Sequence, residues 1–200
     1  EDELYRVGDP PYEEWLTRHL DPFNPQWLDR LERSLRVLLG DGPDGCGADG
    51  LKLDFTGNIP VAGVHHAARE LHGLEYTWWV FKRIHDAAKA VRPDCLLDFQ
   101  VANPLFAPLH DMTRLNDCFL PARQALRTMK ERAAVARAAA FDPMIDTDGP
   151  ISPDYFRAAP GFGNPSLYLE NRHFCDAEIV QAILDAHRSM GARAAEPVTL

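Results

Sequence analysis

The sequence has few of the features that mark membrane, metal-binding and nucleic-acid-binding proteins. Its apolar runs fall well short of the about 20 residues that a membrane-spanning helix needs, and its first segment carries no apolar core of signal-peptide type. The four cysteines lie far apart without a CxxC pair, so we expect buried thiols, or at most one disulfide, rather than a zinc site. Lysine and arginine number 21 against 30 aspartates and glutamates, and the net charge of −9 argues against nucleic acid as a partner.

The remaining composition is that of an ordinary globular domain. The 200 residues are 46% hydrophobic and 26% charged, which excludes a disordered or collagen-like chain. A chain of this length can bury about 70% of its unfolded surface and hold a core without disulfides. We therefore expect one domain over residues 1–200, with a poorly defined segment at residues 1–20, and no membrane, metal or cofactor as partner.

Helical and strand-like patterns alternate along the chain. Helices are predicted at residues 26–39, 75–91, 122–140 and 176–190. Strands are predicted at residues 51–55, 95–101, 112–118, 141–146 and 166–169, with a possible further strand at residues 15–20. Short strands alternating with helices of about 15 residues indicate parallel βαβ units and an α/β fold.

A (β/α)8 TIM-type barrel is the predicted architecture. Because such a barrel needs eight strands and about 250 residues, we expect an incomplete one that contains about strands 3 to 8. The start at Glu1 rather than at a Met fits a piece of a longer protein. Sheet edges left exposed in this way predict a partner or a homo-oligomer that covers them. A doubly wound sheet is the alternative, but no GxGxxG motif follows a predicted strand.

Polar residues follow the predicted strands at their carboxyl ends, where parallel α/β folds collect their reactive groups. They include Lys52, Asp54, Asp98, Gln100, Arg114, Asn116, Asp117 and Asp146. Aspartate and lysine are rarely buried without partners, so this edge predicts a polar pocket. Lys52 and Asp54 are two residues apart and share one face of a strand, where the lysine favours the ionised carboxylate.

Two segments resemble retaining α-glycosidases, the superfamily of α-galactosidases and α-glucosidases in glycoside hydrolase families twenty-seven, thirty-one and thirty-six. Asp-Pro-Phe-Asn-Pro at residues 21–25, a helix, and Asp-Gly-Leu-Lys-Leu-Asp-Phe at residues 49–55 are similar to the region around the nucleophile strand. Thr-Arg-Leu-Asn-Asp at residues 113–117 is similar to the acid/base segment, and residues 163–188 resemble the eighth strand and helix. The resemblance covers roughly residues 21–188.

The resemblance implies an α-galactosidase-like barrel that hydrolyses α-glycosidic bonds with retention. Asp54 is then the nucleophile and Asp117 the acid/base residue, with no cofactor and no metal. A carbohydrate substrate is expected to contact Lys52, Asp98, Gln100, Arg114, Asn116 and Asp146. Phe-Thr-Gly at residues 55–57 and Asp-Phe-Gln at residues 98–100 depart from the motifs of the family, so the identity of the sugar is left open.

Two other functions fit the same residues. Lys52 at a strand end could form a Schiff base in a lyase, with Asp54 or Asp117 moving protons. The chain could also be a non-catalytic sugar-binding or structural barrel fragment.

Two further patterns have structural interpretations. His65, His66 and His72 are predicted to lie in a loop over the active site rather than in a metal site, because their spacing is not helical. The basic helix is predicted to turn its charges outward into water. Its cations are Arg123, Arg127, Lys130, Arg132 and Arg137.

Overall fold

The computed structural model of the chain describes residues 4–6, 18–54, 56, 59, 64–66, 68–115, 118, 122–140, 143–147, 152–164 and 175–194. The helices in these residues are α1 Pro25–Leu39, α2 Leu74–Val91, α3 Ala122–Ala139, α4 Pro153–Ala158 and α5 Ala177–Ala194. The strands are β1 Leu4–Arg6, β2 Arg18–Leu20, β3 Gly50–Leu53, β4 Val64–His66, β5 Glu70–His72, β6 Leu96–Phe99, β7 Met112–Arg114 and β8 Met144–Asp146. Two 3-10 helices lie at Pro104–Leu109 and Ala159–Gly161. The four predicted helices are confirmed to within a few residues, and α4 lies in a segment where no helix is predicted.

Four strands form a parallel sheet whose order, β3-β6-β7-β8, follows their order in the chain. Beyond β8, a parallel bridge joins Asp146 to Asn164, so the chain at residue 164 runs beside β8 as its next neighbour. The prediction of an α/β fold with parallel strands is thereby confirmed. The strand predicted at residues 166–169 lies outside the described residues.

The chain divides into two compact units. The first comprises residues 1–97 and 108–110, and the second comprises residues 98–107 and 111–200. In the second unit, α3 packs a stripe of small and apolar side chains against β7, β8 and α4. This core includes Leu115, Ala125, Met129, Ala133, Ala136, Ile145, Tyr155 and Phe162. The alanines let α3 approach the strands closely, because they place no long side chain between helix and sheet.

In the first unit, α1 begins at a capped turn. The side-chain oxygen of Asn24 accepts hydrogen bonds from the backbone N–H groups of Gln26 at 2.8 Å and Trp27 at 3.3 Å. Pro25 occupies the first helical position, where its missing N–H costs no hydrogen bond. Trp27 and Leu35 are buried on the apolar face of the helix, which packs against α2.

Arg92, at the end of α2, holds the loop that leads into β3. Its Nη1 atom donates to the carbonyl oxygens of Gly47 at 3.1 Å and Ala48 at 3.0 Å, and its Nη2 atom donates to Asp49 Oδ1 at 2.8 Å. Gly47 has a φ of 62°, a left-handed conformation that suits glycine. This side chain therefore positions the loop together with the backbone hydrogen bonds that Cys46, Gly47 and Ala48 donate to the end of α1 and to Gly40.

Two antiparallel hairpins differ from the sequence-based expectations. The possible strand at residues 15–20 is present over Arg18–Leu20, but its expected place in the parallel sheet is wrong, because it pairs antiparallel with Leu4–Arg6 in a separate two-stranded sheet. The loop predicted around His65, His66 and His72 is also wrong, since these residues belong to the antiparallel pair β4–β5. Strands of three residues are too short to show a period, so their pairing is decided by the partner strand.

Candidate functional site

Four polar residues gather at the carboxyl ends of three neighbouring parallel strands. Asp98 lies on β6, and Gln100 is the first residue after that strand. Arg114 and Asp146 are the last residues of β7 and β8. We call them the strand-end cluster. All are buried: Asp98 and Gln100 are 8% exposed, and Arg114 and Asp146 are 4% exposed.

The register of the sheet places the strand-end cluster on one face. Asp98 lies opposite Met112, and Arg114 lies opposite Asp146. Because side chains alternate between the two faces of a strand, Gln100 and Arg114, two residues beyond Asp98 and Met112, point the same way as Asp98 does. Neighbouring strands are about 4.8 Å apart, so the four polar groups lie within reach of one another or of one small ligand.

The other face of the same strands is committed to packing. Leu115 and Ile145 belong to the core under α3, and Thr113, which lies opposite Ile145, is 2% exposed. At the ends of β7 and β8, Arg114 and Asp146 therefore point to one face of the sheet, and Ile145 and Leu115 point to the other. This alternation assigns the helix side to the core and the opposite side to the strand-end cluster.

Two carboxylates, one guanidinium and one amide make up this buried set. Burying such charges is costly unless they are paired or hydrogen-bonded, and each of the four residues is engaged in at least one interaction with the chain. An arginine offers only donors, a carboxylate only acceptors and an amide both. The arrangement can therefore hold a ligand that carries several hydroxyl groups.

Thr147, which follows Asp146 at the end of β8, is held by hydrogen bonds with α4 and with Asn164. The Tyr155 hydroxyl donates to the carbonyl oxygen of Thr147 at 2.6 Å, inside the protein. The backbone N–H of Thr147 donates to the carbonyl oxygen of Asn164 at 2.9 Å, and its Oγ1 donates to the same oxygen at 3.0 Å. The ring of Tyr155 packs edge-on against Phe162, with centroids 6.0 Å apart. The position of Asp146 is thus determined by α4 as well as by the sheet.

Two of the other predicted site residues lie in the first unit, and two lie outside the described residues. Lys52 is half-buried on β3, and Asp54 is exposed in the turn that follows β3, both within the first unit. Asn116 and Asp117 lie outside the described residues. Of the eight predicted residues, the structure brings together the four of the strand-end cluster.

A cavity of about 290 Å³ lies against α3 within the second unit. Gln100 and Arg114 line it together with Thr128, Glu131 and Arg132 of α3. Sequence analysis missed these α3 residues, because it assigned the charges of this helix to an outer, wet face. Their spacing of three and four residues, parallel to the alanine stripe of the core, was a signal that could have found them.

The prediction that the basic helix turns its charges outward is confirmed for four cations, which are exposed, whereas Arg132 is half-buried. Arg132 donates from Nη1 to the carbonyl oxygen of Leu115 at 3.1 Å, and Arg137 donates to that of Phe162 at 2.9 Å. Arg127 does lie on the exposed face, where its Nε atom donates to Glu131 Oε1 at 2.9 Å. This hydrogen bond and the charge of the carboxylate raise the pKa of Arg127. The long arginine stems reach back to carbonyl groups at strand and loop ends, which spacing alone does not reveal.

The described part of the chain contains neither a metal-ligand cluster nor a membrane-spanning helix. No group of three or more histidine, cysteine, aspartate or glutamate side chains is arranged there to hold a metal ion. Among the same residues, no helix combines the length and apolar character needed to cross a membrane.

The fold and the site define the class of the protein, an α/β protein with a polar cluster at the carboxyl ends of a parallel sheet. Models of known protein families, curated proteins and solved structures include no match to the chain. The functional interpretation therefore relies on the residues and geometry described above.

Proposed function

We propose that the chain is a glycoside hydrolase that cleaves α-glycosidic bonds, α-galactosidase-like, with retention of configuration. The strand-end cluster is the observation that carries the proposal. It joins buried donors and acceptors at the edge of the sheet where barrel enzymes bind their substrates. Its chemistry fits a sugar, whose hydroxyl groups both donate and accept hydrogen bonds.

The strand order supports the (β/α)8 barrel within this proposal. A doubly wound sheet reverses its strand order at a switch point, whereas a barrel adds each strand beside the previous one. Here the order β3-β6-β7-β8 follows the chain without reversal, and Asn164 continues it. Since crossover connections are right-handed, such an order places the connecting helices on one face and leaves the other face to line a barrel interior. The proposed barrel is incomplete, with about strands 3 to 8.

In the proposed reaction, the Asp54 carboxylate attacks the anomeric carbon of the sugar. The bond from this carbon to the glycosidic oxygen breaks, and the Asp117 carboxyl group gives its proton to that oxygen. Water then attacks the anomeric carbon, Asp117 takes a proton from the water, and the Asp54 carboxylate leaves. One water is consumed, two hydroxyl-bearing products form, and two inversions give net retention.

The surroundings of Asp54 suit the nucleophile in this scheme. The residue lies in the turn directly after β3, within reach of solvent and substrate, and Lys52 lies two residues earlier on that strand. Lys52, Asn116 and the strand-end cluster would bind the hydroxyl groups of the sugar. Neither a metal nor a cofactor has a step in this mechanism.

Hydrolysis of aryl α-galactosides and α-glucosides tests the proposal. Asp54→Asn keeps the shape of the side chain but removes the nucleophile, so kcat should fall about 10³-fold or more. Asp44→Asn, an exposed aspartate in the loop before β3, is the matched control and should leave kcat unchanged. Asp117→Asn should slow substrates with poor leaving groups far more than those with good ones, because only the former need the proton. Full turnover by Asp54→Asn refutes the assignment.

The exposure of Asp54 favours a second candidate, a sugar-binding protein without catalysis. A retaining glycosidase encloses its nucleophile with the acid/base residue about 5–5.5 Å away, whereas Asp54 faces water. Binding of a monosaccharide by the wild-type protein without any hydrolysis of its aryl glycosides would identify this function instead.

A further inference from the structure

A cavity at the amino end of β8 lies in the second unit, away from the strand-end cluster. Its volume of about 360 Å³ falls within the range of about 300–1,000 Å³ for small-molecule sites. Pro143 and Met144 lead into β8 at this end, whereas Asp146 is the last residue of the strand. The cavity shares no lining residue with the strand-end cluster, and no step of the proposed hydrolysis uses it.

The walls of this cavity belong to packed elements of the second unit. Arg137 lies in the last turn of α3, and Met190 lies near the end of α5. A third wall follows the 3-10 helix Ala159–Gly161, where the backbone N–H of Asn164 donates to the carbonyl oxygen of Ile145 at 2.7 Å. Because hydrogen bonds and helices hold each wall, the cavity is formed before any ligand enters it.

Arg137 is the one charged residue among the described residues that line the cavity. Its Nη2 atom donates to the carbonyl oxygen of Phe162 at 2.9 Å. A guanidinium group has five N–H donors, arranged as a fork that matches the two oxygens of a carboxylate. In the described part of the chain, no aspartate or glutamate forms an ion pair with Arg137. The remaining donors are therefore available to an anion in the cavity.

Asn164 supplies the second polar side chain of the lining. Its backbone N–H and carbonyl groups are engaged with Ile145 and Thr147. Its side-chain amide, in contrast, makes no hydrogen bond to any of the residues that the structure describes. An amide nitrogen donates two hydrogen bonds, so this side chain adds donors for the same anion.

The other walls of the cavity are apolar. Met144 is 41% exposed, and Met190 is half-buried. Methionine side chains are unbranched and polarisable, and they adapt to the shape of a ligand. Pro143 and Pro160 add rigid apolar surface. An apolar chain placed here would remove this surface from water, which is favourable in proportion to the area covered.

Charge and polarity together select the class of ligand. A neutral apolar molecule would strip water from Arg137 without replacing its hydrogen bonds, and a doubly charged phosphate would exceed the single positive charge. One carboxylate matches this charge and the geometry of the fork. We infer that the cavity binds a small monocarboxylate with an apolar chain. The carboxylate lies on Arg137 and Asn164, and the chain lies against Met144 and Met190.

Calorimetric titration of the whole chain with octanoate tests this inference. Arg137→Met removes the charge and keeps a long stem, whereas Asn164→Asp keeps the side-chain shape and repels a carboxylate. Each substitution should raise the Kd of octanoate about tenfold or more, because a charge-assisted hydrogen bond is lost or opposed. Arg123→Met is the matched control at the other end of α3, and its Kd should equal that of the wild type.

Two related ligands separate the contributions of the carboxylate and the chain. Octanol lacks the negative charge and should bind about tenfold more weakly than octanoate. Hexanoate is shorter by two methylene groups and should also bind about tenfold more weakly. Methyl NMR signals of the methionines locate the ligand. Those of Met144 and Met190 should shift as octanoate saturates the protein, whereas that of Met129, fully buried in the core, should not.

Several results would overturn the site. They are a Kd of octanoate above about 10 mM, equal binding of octanol and octanoate, and methyl shifts that leave out Met144 and Met190. Wild-type affinity in both Arg137→Met and Asn164→Asp would do the same. If circular dichroism shows that Arg137→Met is unfolded, Asn164→Asp decides, because it keeps the backbone hydrogen bonds of residue 164. None of these measurements depends on hydrolysis, so the site is tested whether or not the chain is a glycosidase.

Discussion

Replacement of Gly163 by alanine provides a direct test of the architecture beside β8. A Cβ atom at this position would collide with Cγ2 of Thr147 and would lie 2.8 Å from Cγ2 and 3.0 Å from the carbonyl oxygen of Ile145. These separations are well inside the about 3.5–4.0 Å of favourable carbon contacts. Because a backbone carbonyl and two β-branched side chains of limited freedom stand in the way, we expect Gly163→Ala to cost about 2–3 kcal/mol.

Gly161 is a matched control two residues earlier in the chain. A Cβ atom there meets no atom within 4 Å. Gly161→Ala should therefore change the free energy of unfolding by less than about 1 kcal/mol. Urea denaturation measures both variants, and Tm should fall by about 5–10 °C for Gly163→Ala alone. Equal stability of Gly163→Ala and wild type would refute the close approach of residues 163–164 to β8 and, with it, the continuation of the sheet.

Two further predictions concern single side chains. Tyr155→Phe keeps the ring but leaves the buried carbonyl oxygen of Thr147 without its donor at 2.6 Å. The free energy of unfolding, measured by urea denaturation, should fall by about 1–3 kcal/mol. A fall of less than about 0.3 kcal/mol contradicts this role of the hydroxyl group. Burial would raise the pKa of Asp86, but hydrogen bonds from Lys82 and His85 outweigh it, so the pKa is lowered. The carboxylate therefore stabilises the fold above its unfolded pKa, and this contribution is lost as the pH falls through the folded pKa. Asp86→Asn should cost roughly 0.2–1 kcal/mol at pH 6, with the difference closing towards pH 3; a difference independent of pH contradicts the assignment.

The long helices were predictable because their signals are local. Asn24 and Pro25 mark the start of α1 within two residues, and apolar side chains repeat along the helix at the spacing of its turns. The short strands carry far less information. β2 extends over only Arg18–Leu20, so the sequence shows neither its antiparallel partner nor its separation from the main sheet.

The convergence of four of the predicted residues could be inferred from the sequence for a related reason. Asp98, Gln100, Arg114 and Asp146 follow strand-like runs, and the alternation of a strand puts residues two apart on one face. Their convergence then needs only that the strands be parallel and in register. The α3 lining was missed, because Thr128 and Glu131 look like any exposed helix residues until a cavity stands beside them.

The sequence by itself determined the order of helices and strands and the polar character of the strand ends, because period and capping are properties of neighbouring residues. Only the tertiary structure decided which surfaces meet. The cavity beside α3, the hydrogen bond from Tyr155 to the end of β8 and the close approach of Gly163 to β8 depend on residues from different elements of the chain. Such contacts arise from packing in three dimensions, and no local pattern encodes them.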